Sequence, residues 1–242
     1  MANIFGTDGD DLYAGTEDFD LLFASLGNDT MDGAGEEGAV VLYNGVSELA
    51  ALGVFINNTS TAIDGVDAFT VDKRGFGTDT LIDITAFNGS IGDDVIYLGA
   101  GGYVFDEGGN DVVFASQDPD ANRIAFNGGS GNDRYVGTAG DRDVVDYGND
   151  GEFDAAGFTT QGVVVDLDAG TATDGWGDRD TLEGIERAEG SAFADTLMGG
   201  NGNNRLLGRD GDDTISGGDG SDTLEGGQGS DTLNGGDDGS QF

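Results

Sequence analysis

Large apolar side chains fall at every ninth residue over the C-terminal part of the chain: Leu197, Leu206, Ile215, Leu224 and Leu233, with Phe242 in the same frame. A helix repeats its apolar face about every 3.6 residues and a half-buried strand at every second one, so this spacing marks a repeated unit. In the frame opened by Gly190 the lines are GSAFADTLM, GGNGNNRLL, GRDGDDTIS, GGDGSDTLE, GGQGSDTLN and a shortened GGDDGSQF. The eighth position is the apolar one, and the sixth holds Asp195, Asn204, Asp213, Asp222, Asp231 and Ser240. Outside this block the runs VVLY, GVFIN, AFTVD, VVFA, NRIAF, DVVDY and GVVVDLD, bounded by Gly, Asp and Asn, predict short strands. Helical patterning is confined to Ser47 through Leu52 and a start at Asp118-Pro119.

The same frame opens the chain as GTDGDDLYA, GTEDFDLLF and ASLGNDTMD, with Asp11, Asp20 and Asp29 at the sixth position and Tyr13, Leu22 and Met31 at the eighth. An isolated copy, GGSGNDRYV, starts at Gly128 and carries Asp133 and Tyr135 in those places. Asp94 and Asp111 belong to degenerate copies whose spacing has drifted. A longer period overlies the short one. DTLIDITAFNGSIGDDVI from Asp79 aligns with DTLEGIERAEGSAFADTL from Asp180, and Gly53-Val-Phe-Ile corresponds to Gly162-Val-Val-Val, the first copy carrying about eight extra residues between the two landmarks. The chain therefore divides into a first module at 1–104, with a short roll at 6–32, a duplicated β module at 105–189 that contains the isolated repeat at 128–136, and a C-terminal roll at 190–242.

Composition changes the picture from a repeat to a metal-binding repeat. Asp and Glu number 48 against 9 Lys and Arg, a formal charge of -39, so the bare chain repels itself. Nucleic acid is excluded as a partner for want of a basic stripe. A divalent cation is expected instead. Carboxylates and backbone carbonyls are hard oxygen donors that suit calcium, and a chain with no Cys and no His offers nothing to zinc or copper. The same absences remove thiol nucleophiles, the Ser-His-Asp triad and the HExxH helix, and no catalytic residue stands out, so the chain is read as non-enzymatic. The glycine strings lack the long following helix of a nucleotide-binding turn. The first residues form neither a basic nor an apolar segment, which predicts no N-terminal signal peptide, and no apolar run is long enough to cross a membrane.

The nonapeptides resemble the RTX, or haemolysin-type, calcium-binding repeats with their GGxGxDxUx pattern, which GGDGSDTLE and GGQGSDTLN match at every defined position. The resemblance implies an all-β fold, a right-handed parallel β-roll or β-solenoid, elongated and nearly helix-free, in which each repeat is a glycine-rich turn followed by a short strand and two repeats make one coil. Stacked coils then set the sixth position of one repeat beside that of the repeat after next. One edge should carry Asp195, Asp213 and Asp231, the other Asn204, Asp222 and Ser240, with calcium ions between successive turns at roughly 2.3 to 2.6 Å from carboxylate and carbonyl oxygens. The edge richer in carboxylates should bind more tightly. The metal candidates are thus Asp11, Asp20, Asp29, Asp94, Asp111, Asp133, Asp195, Asp213, Asp222 and Asp231, with Asp8, Asp79, Asp180, Asn204, Asp210 and Asp219 as further candidates.

A solubilising acidic surface built from turn-favouring residues is the competing reading of these aspartates. The aromatics Tyr43, Phe76, Tyr147, Trp176 and Phe193 are read as packing groups rather than a carbohydrate platform, with Phe193 plugging an end of the C-terminal roll. Several calcium ions, and calcium-driven folding outside the cell or on its surface, are the expected consequence. The resemblance also implies type I secretion, although the usual nonrepetitive C-terminal region is missing or very short here. Self-association, another extracellular protein or a polysaccharide are the partners this leaves open. A subunit of a calcium-stabilised surface layer, fibre, adhesin or virion appendage, or an accessory module of a polysaccharide-acting enzyme, are the alternative functions.

Overall fold

The computed structural model describes residues 3–16, 20–33, 39–43, 52–58, 63, 70–82, 84–99, 102–115, 124–138, 143–148 and 161–236. The turn of helix expected from Ser47 to Leu52 lies outside them except for Leu52, and the start at Asp118-Pro119 and the frame positions Ser240 and Phe242 lie outside them too. The chain packs as two compact units, Met1–Asn122 and Arg123–Phe242. Among the described residues every regular element is a strand.

The first unit contains β1 (Asn3–Phe5), β2 (Leu12–Ala14), β3 (Asp20–Phe23), β4 (Thr30–Asp32), β5 (Ala39–Leu42), β6 (Phe55–Asn58), β7 (Thr70–Asp72), β8 (Thr78–Ile82), β9 (Ile84–Asn88), β10 (Val95–Leu98), β11 (Gly102–Phe105) and β12 (Val112–Phe114). The second contains β13 (Ile124–Asn127), β14 (Arg134–Val136), β15 (Val144–Asp146), β16 (Val164–Asp166), β17 (Thr171–Thr173), β18 (Arg179–Glu183), β19 (Arg187–Glu189), β20 (Thr196–Asn201), β21 (Arg205–Asp210), β22 (Thr214–Asp219), β23 (Thr223–Gln228) and β24 (Thr232–Asn234). Outside one three-strand stretch in each unit, successive strands alternate between two sheets, which is the signature of a parallel β-roll. In the first unit one sheet runs β1-β3-β5-β9-β11 and the other β2-β4-β8-β7-β6-β10-β12; in the second the rows are β13-β15-β19-β21-β23 and β14-β18-β17-β16-β20-β22-β24.

The coil length follows from the register. Leu197 pairs with Ile215 and Ile215 with Leu233, while Leu206 pairs with Leu224, so each coil consumes two nonapeptides. Eighth-position side chains from both sheets are buried, among them Tyr13, Leu22, Met31, Leu197, Leu206, Ile215 and Leu224. Each such burial contributes roughly 1.5 to 3 kcal/mol, but a coil of 18 residues holds only two of these side chains, which leaves little to offset the ordering of a glycine-rich backbone. The expectation that Phe193 plugs the roll is not met, for its side chain is 38% exposed. It stands in the turn, and the eighth-position residues fill the interior without it. Tyr43 and Tyr147 are buried as packing groups.

Each unit interrupts its parallel ladder once with the same antiparallel meander. In the first unit β6 pairs β7 and β7 pairs β8, and in the second β16 pairs β17 and β17 pairs β18. β7 and β8 lie at the same constant offset from β17 and β18 as the duplicated sequences do, and the extra residues of the first copy fall between β6 and β7. The meander lets the roll resume after a long insertion, with Leu81 set beside Met31 and Leu182 beside Tyr135 as the next coil in line.

Candidate metal centre

The repeat's turn is shaped by its glycines at two positions. Gly220 and Gly229, fourth in their repeats, have φ of 123° and 142°, a region that L side chains rarely adopt. The first-position Gly208 lies under the Asp213 carboxylate, where a β-carbon would collide with Oδ2. The sixth-position aspartate of this repeat therefore folds back over the opening of its own turn, and a β-carbon at Gly208 would displace it.

Stacking then links the aspartates into ladders. The Asp195 N–H donates to Asp213 Oδ1 at 2.9 Å and the Asp213 N–H to Asp231 Oδ1 at 3.1 Å. On the other edge the Asn204 N–H donates to Asp222 Oδ1 at 3.0 Å. These hydrogen bonds join Asp195, Asp213 and Asp231 on one edge and Asn204 with Asp222 on the other, the neighbours the nonapeptide arithmetic sets side by side. In the first unit the Asp11 N–H donates to Asp29 Oδ1 at 3.0 Å, and the Asp29 N–H to Asp79 Oδ1 at 3.0 Å across the meander. Asp133 and Asp180 repeat that step at 3.1 Å. Asp94 donates its N–H to Asp111 Oδ1 at 2.6 Å. Asp79 and Asp180, further candidates in the sequence, are members of the ladder.

The second carboxylate oxygen meets two kinds of surroundings. Where the repeat's second residue is Ser or Thr, its N–H and hydroxyl donate to the carboxylate: Thr7 to Asp11, Thr16 to Asp20, Ser90 to Asp94 and Ser191 to Asp195. Asp213 has Arg209 at that place, and its buried Oδ2 has no hydrogen-bond partner. Burying such an oxygen unsatisfied costs on the order of 1 to 3 kcal/mol, and more when it is charged. The Asn204 side-chain oxygen is likewise buried without a partner. Oxygen-only donors in stacked pairs, with acceptors left over at Asp213 and Asn204, are what a hard divalent ion requires; the residues fit calcium.

Electrostatics point the same way. Burial is the largest influence on each group and pushes Asp94 to about 6 and Asp180 to about 7, against the hydrogen bonds each accepts. Asp195 and Asp213 are raised by burial first, with the neighbouring ladder carboxylate adding to it. Without a counter-cation the ladder holds its charge at a cost.

Three further candidates lie apart from the ladders. Asp8, Asp210 and Asp219 are exposed third-position residues, and Asp210 accepts a hydrogen bond from the Gln228 amide at 2.9 Å. The sequence reading passed over a second ladder at the fifth position. There Asp10 Oδ1 accepts the Asn28 N–H at 2.9 Å, Asn28 Oδ1 the Thr78 N–H at 3.0 Å, Asn132 Oδ1 the Arg179 N–H at 3.1 Å and Asp212 Oδ1 the Ser230 N–H at 2.8 Å. The recurring Asp or Asn immediately before the sixth position was its signal. It also passed over Asp143, a buried carboxylate that accepts the Ile124 N–H at 3.1 Å and both the N–H and the hydroxyl of Thr138. Here the Thr-to-Asp spacing is five residues instead of four, which hid the match.

The family model described as RTX calcium-binding nonapeptide repeat (4 copies) matches residues 5–37, 126–142, 180–215, 189–224 and 207–239. The chain carries RTX calcium-binding repeats. The matched segments hold the ladder residues Asp11, Asp29, Asp133, Asp180, Asp195, Asp213, Asp222 and Asp231, so the RTX pattern and the hydrogen-bonded stacks coincide. No curated protein matches the chain. Asp79, Asp94 and Asp111 fall outside the RTX matches, and the structure nonetheless places them in the same kind of stack.

Proposed function

We propose that this RTX protein is an extracellular or cell-surface structural and interaction module, non-enzymatic, whose folding is driven by calcium bound between stacked turns. The observation that carries the reading is the stack of buried sixth-position aspartates, joined by backbone hydrogen bonds yet short of cations. Calcium supplies the missing charge. At the low calcium of a cytosol the self-repelling chain stays open, and at the calcium concentrations of weak extracellular sites, roughly 10⁻⁴ to 10⁻³ M, binding free energy becomes folding free energy. Export by a type I route fits that order of events. Calorimetric titration of the metal-free chain tests the reading: several calcium ions should bind per chain, with magnesium failing to compete at equal concentration. Absence of calcium binding would remove it.

A second reading, a self-associating subunit of a calcium-stabilised assembly, rests on the outermost strands of the first unit. Phe5 on β1 and Leu12 on β2 are 69% and 70% exposed, and Phe5 stacks on Phe23 at 4.3 Å. Another copy or another extracellular protein would cover such apolar groups. Sedimentation with calcium separates the two, since a monomer at every concentration rules this version out.

A further inference from the structure

A single lysine stands among the 48 acidic residues of the chain, and the structure buries it completely. Lys73 opens the β7–β8 turn, where its N–H donates to the Gly77 carbonyl at 3.0 Å. That turn lies on the turn of the ASLGNDTMD repeat: the Gly27 N–H donates to the Phe76 carbonyl and the Thr78 N–H to Asn28 Oδ1, both at 3.0 Å. The meander therefore carries Lys73 to the ladder step between Asp29 and Asp79, which are neighbours in space although 50 residues apart in sequence.

An ammonium has three hydrogens to donate, and around Lys73 Nζ there are three oxygens to receive them: Asp79 Oδ1 at 2.5 Å, the Ser25 carbonyl at 2.8 Å and Asp29 Oδ2 at 3.2 Å. The two other carboxylate oxygens of the step are also engaged. Asp29 Oδ1 accepts the Asp11 N–H at 3.0 Å and Asp79 Oδ2 the Tyr43 hydroxyl at 2.8 Å. No carboxylate oxygen of this step is left over, in contrast to Asp213, whose buried Oδ2 has no hydrogen-bond partner. The cationic side chains differ in where they point. Arg209, in the Asp213 repeat, gives its guanidinium to Asp146 Oδ1 and Glu189 Oε2 at 2.7 and 2.8 Å, whereas Lys73 sets its ammonium between two ladder carboxylates.

Two carboxylates and a turn carbonyl that face one point are hard oxygen donors of the kind calcium takes. We propose, on the basis of the calcium reading above, that Lys73 is a resident cation taking the place of a calcium ion between Asp29 and Asp79, so that the coil step across the first meander carries no calcium in the loaded protein. An ion arriving there would have to expel a buried ammonium from both of its carboxylates, and a buried charge stripped of its partners is strongly unfavourable. The first unit thus closes the step that its insertion interrupts with a cation of its own sequence.

Because the chain has no other lysine, acetylation of Lys73 is read directly by peptide mass spectrometry. In full-length protein folded with excess calcium, an amine-reactive acetyl ester should modify Lys73 more than about tenfold more slowly than in urea, because the ammonium stays between Asp29 and Asp79. Acetylation at the urea rate in protein with a complete β spectrum would mean that calcium has displaced the lysine, and overturns the proposal. Calcium stoichiometry by calorimetric titration is a second arm that a merely structural lysine would not move. Lys73→Ala vacates the place and should bind one calcium ion more per chain than wild type, while Asp79→Asn, which removes a carboxylate from a step without calcium, should bind as many as wild type. An unchanged count in folded Lys73→Ala, or one ion fewer in Asp79→Asn, overturns the proposal; if the variants fail to fold, acetylation of wild type decides. Each of these failures, with calcium still bound elsewhere in wild type, spares the calcium reading, whereas no calcium binding by wild type removes both.

Discussion

Acid should substitute for calcium in the metal-stripped chain, the reverse of ordinary acid denaturation, and Asp180 is the residue on which to measure it. Its side chain is fully buried, and burial pushes it up to about 7 against the Tyr147 hydroxyl and the Asp133 N–H; the charges of Asp174 and Asp178 add to the rise. In the unfolded chain the group titrates near about 3.9. A folded value above the unfolded one means that the protonated form is favoured by folding. Its stabilising contribution is therefore complete below about pH 4 and is lost as pH rises through about 7. Three units at about 1.4 kcal/mol each give on the order of 4 kcal/mol for this group alone. Asp79, Asp94 and Asp174, each raised to about 6 with burial as the leading cause, act in the same direction. The assay is far-UV circular dichroism with urea titration on metal-stripped protein between pH 4 and 7. Wild type should gain structure and a higher urea midpoint toward pH 4. Asp180→Asn, which keeps an acceptor for the Asp133 N–H, should already be more stable than wild type at pH 7 by up to about 4 kcal/mol and gain correspondingly less on acidification. If metal-stripped wild type loses structure on acidification, and Asp180→Asn is no more stable at pH 7, the reasoning about buried uncompensated charge is wrong. With calcium present the sign reverses, because the ion requires ionised ligands and its affinity should fall as the pH falls.

Other expectations concern single positions. Asp213 stands between Asp195 and Asp231 in one ladder whereas Asp222 follows Asn204 in the other, so Asp213→Asn should weaken calcium binding more than Asp222→Asn in a calorimetric titration; equal losses would contradict the inequality of the edges. Leu206, 1% exposed and paired with Ala188 and Leu224, fills a coil that has little else in it; Leu206→Ala should lower the calcium-loaded stability by about 3 kcal/mol in urea unfolding, and a loss under about 1 kcal/mol would mean that the interior does not support the roll. At Gly229, with φ of 142° and its α-carbon packed over the Gly211 carbonyl, substitution by Ala should depress the calcium midpoint of folding far more than Gly9→Ala, where an added β-carbon meets only Thr7 Oγ1 at 3.8 Å.

Much of this architecture could be read from residue spacing, because in a roll the sequence period is also the spatial period. Asp195, Asp213 and Asp231 are in one frame and in one ladder for the same reason. The longer duplication matches the residues of the two meanders but not their antiparallel pairing, which only the structure shows. What could not be read was whatever depends on the contact between coils rather than on the repeat itself. Asp79 follows Asp29 in the ladder although 50 residues separate them, and only the meander's antiparallel return explains the step. The fifth-position ladder escaped because Asp and Asn are ordinary turn residues until their oxygen is seen on the next coil's N–H. Nothing in the residue spacing marks Lys73, whose burial against two ladder carboxylates is a tertiary fact. Phe193 takes the fourth-position place of a glycine, which suggests a plug, but that place is in the turn and leaves the ring 38% exposed.

The central claim is that calcium folds the chain, and far-UV circular dichroism of the full-length protein at neutral pH, with excess calcium and then with excess chelator, tests it most directly. The account predicts a β-sheet spectrum with calcium, its loss on chelation and its return when calcium is restored. A chain with the same β spectrum in both conditions would contradict it.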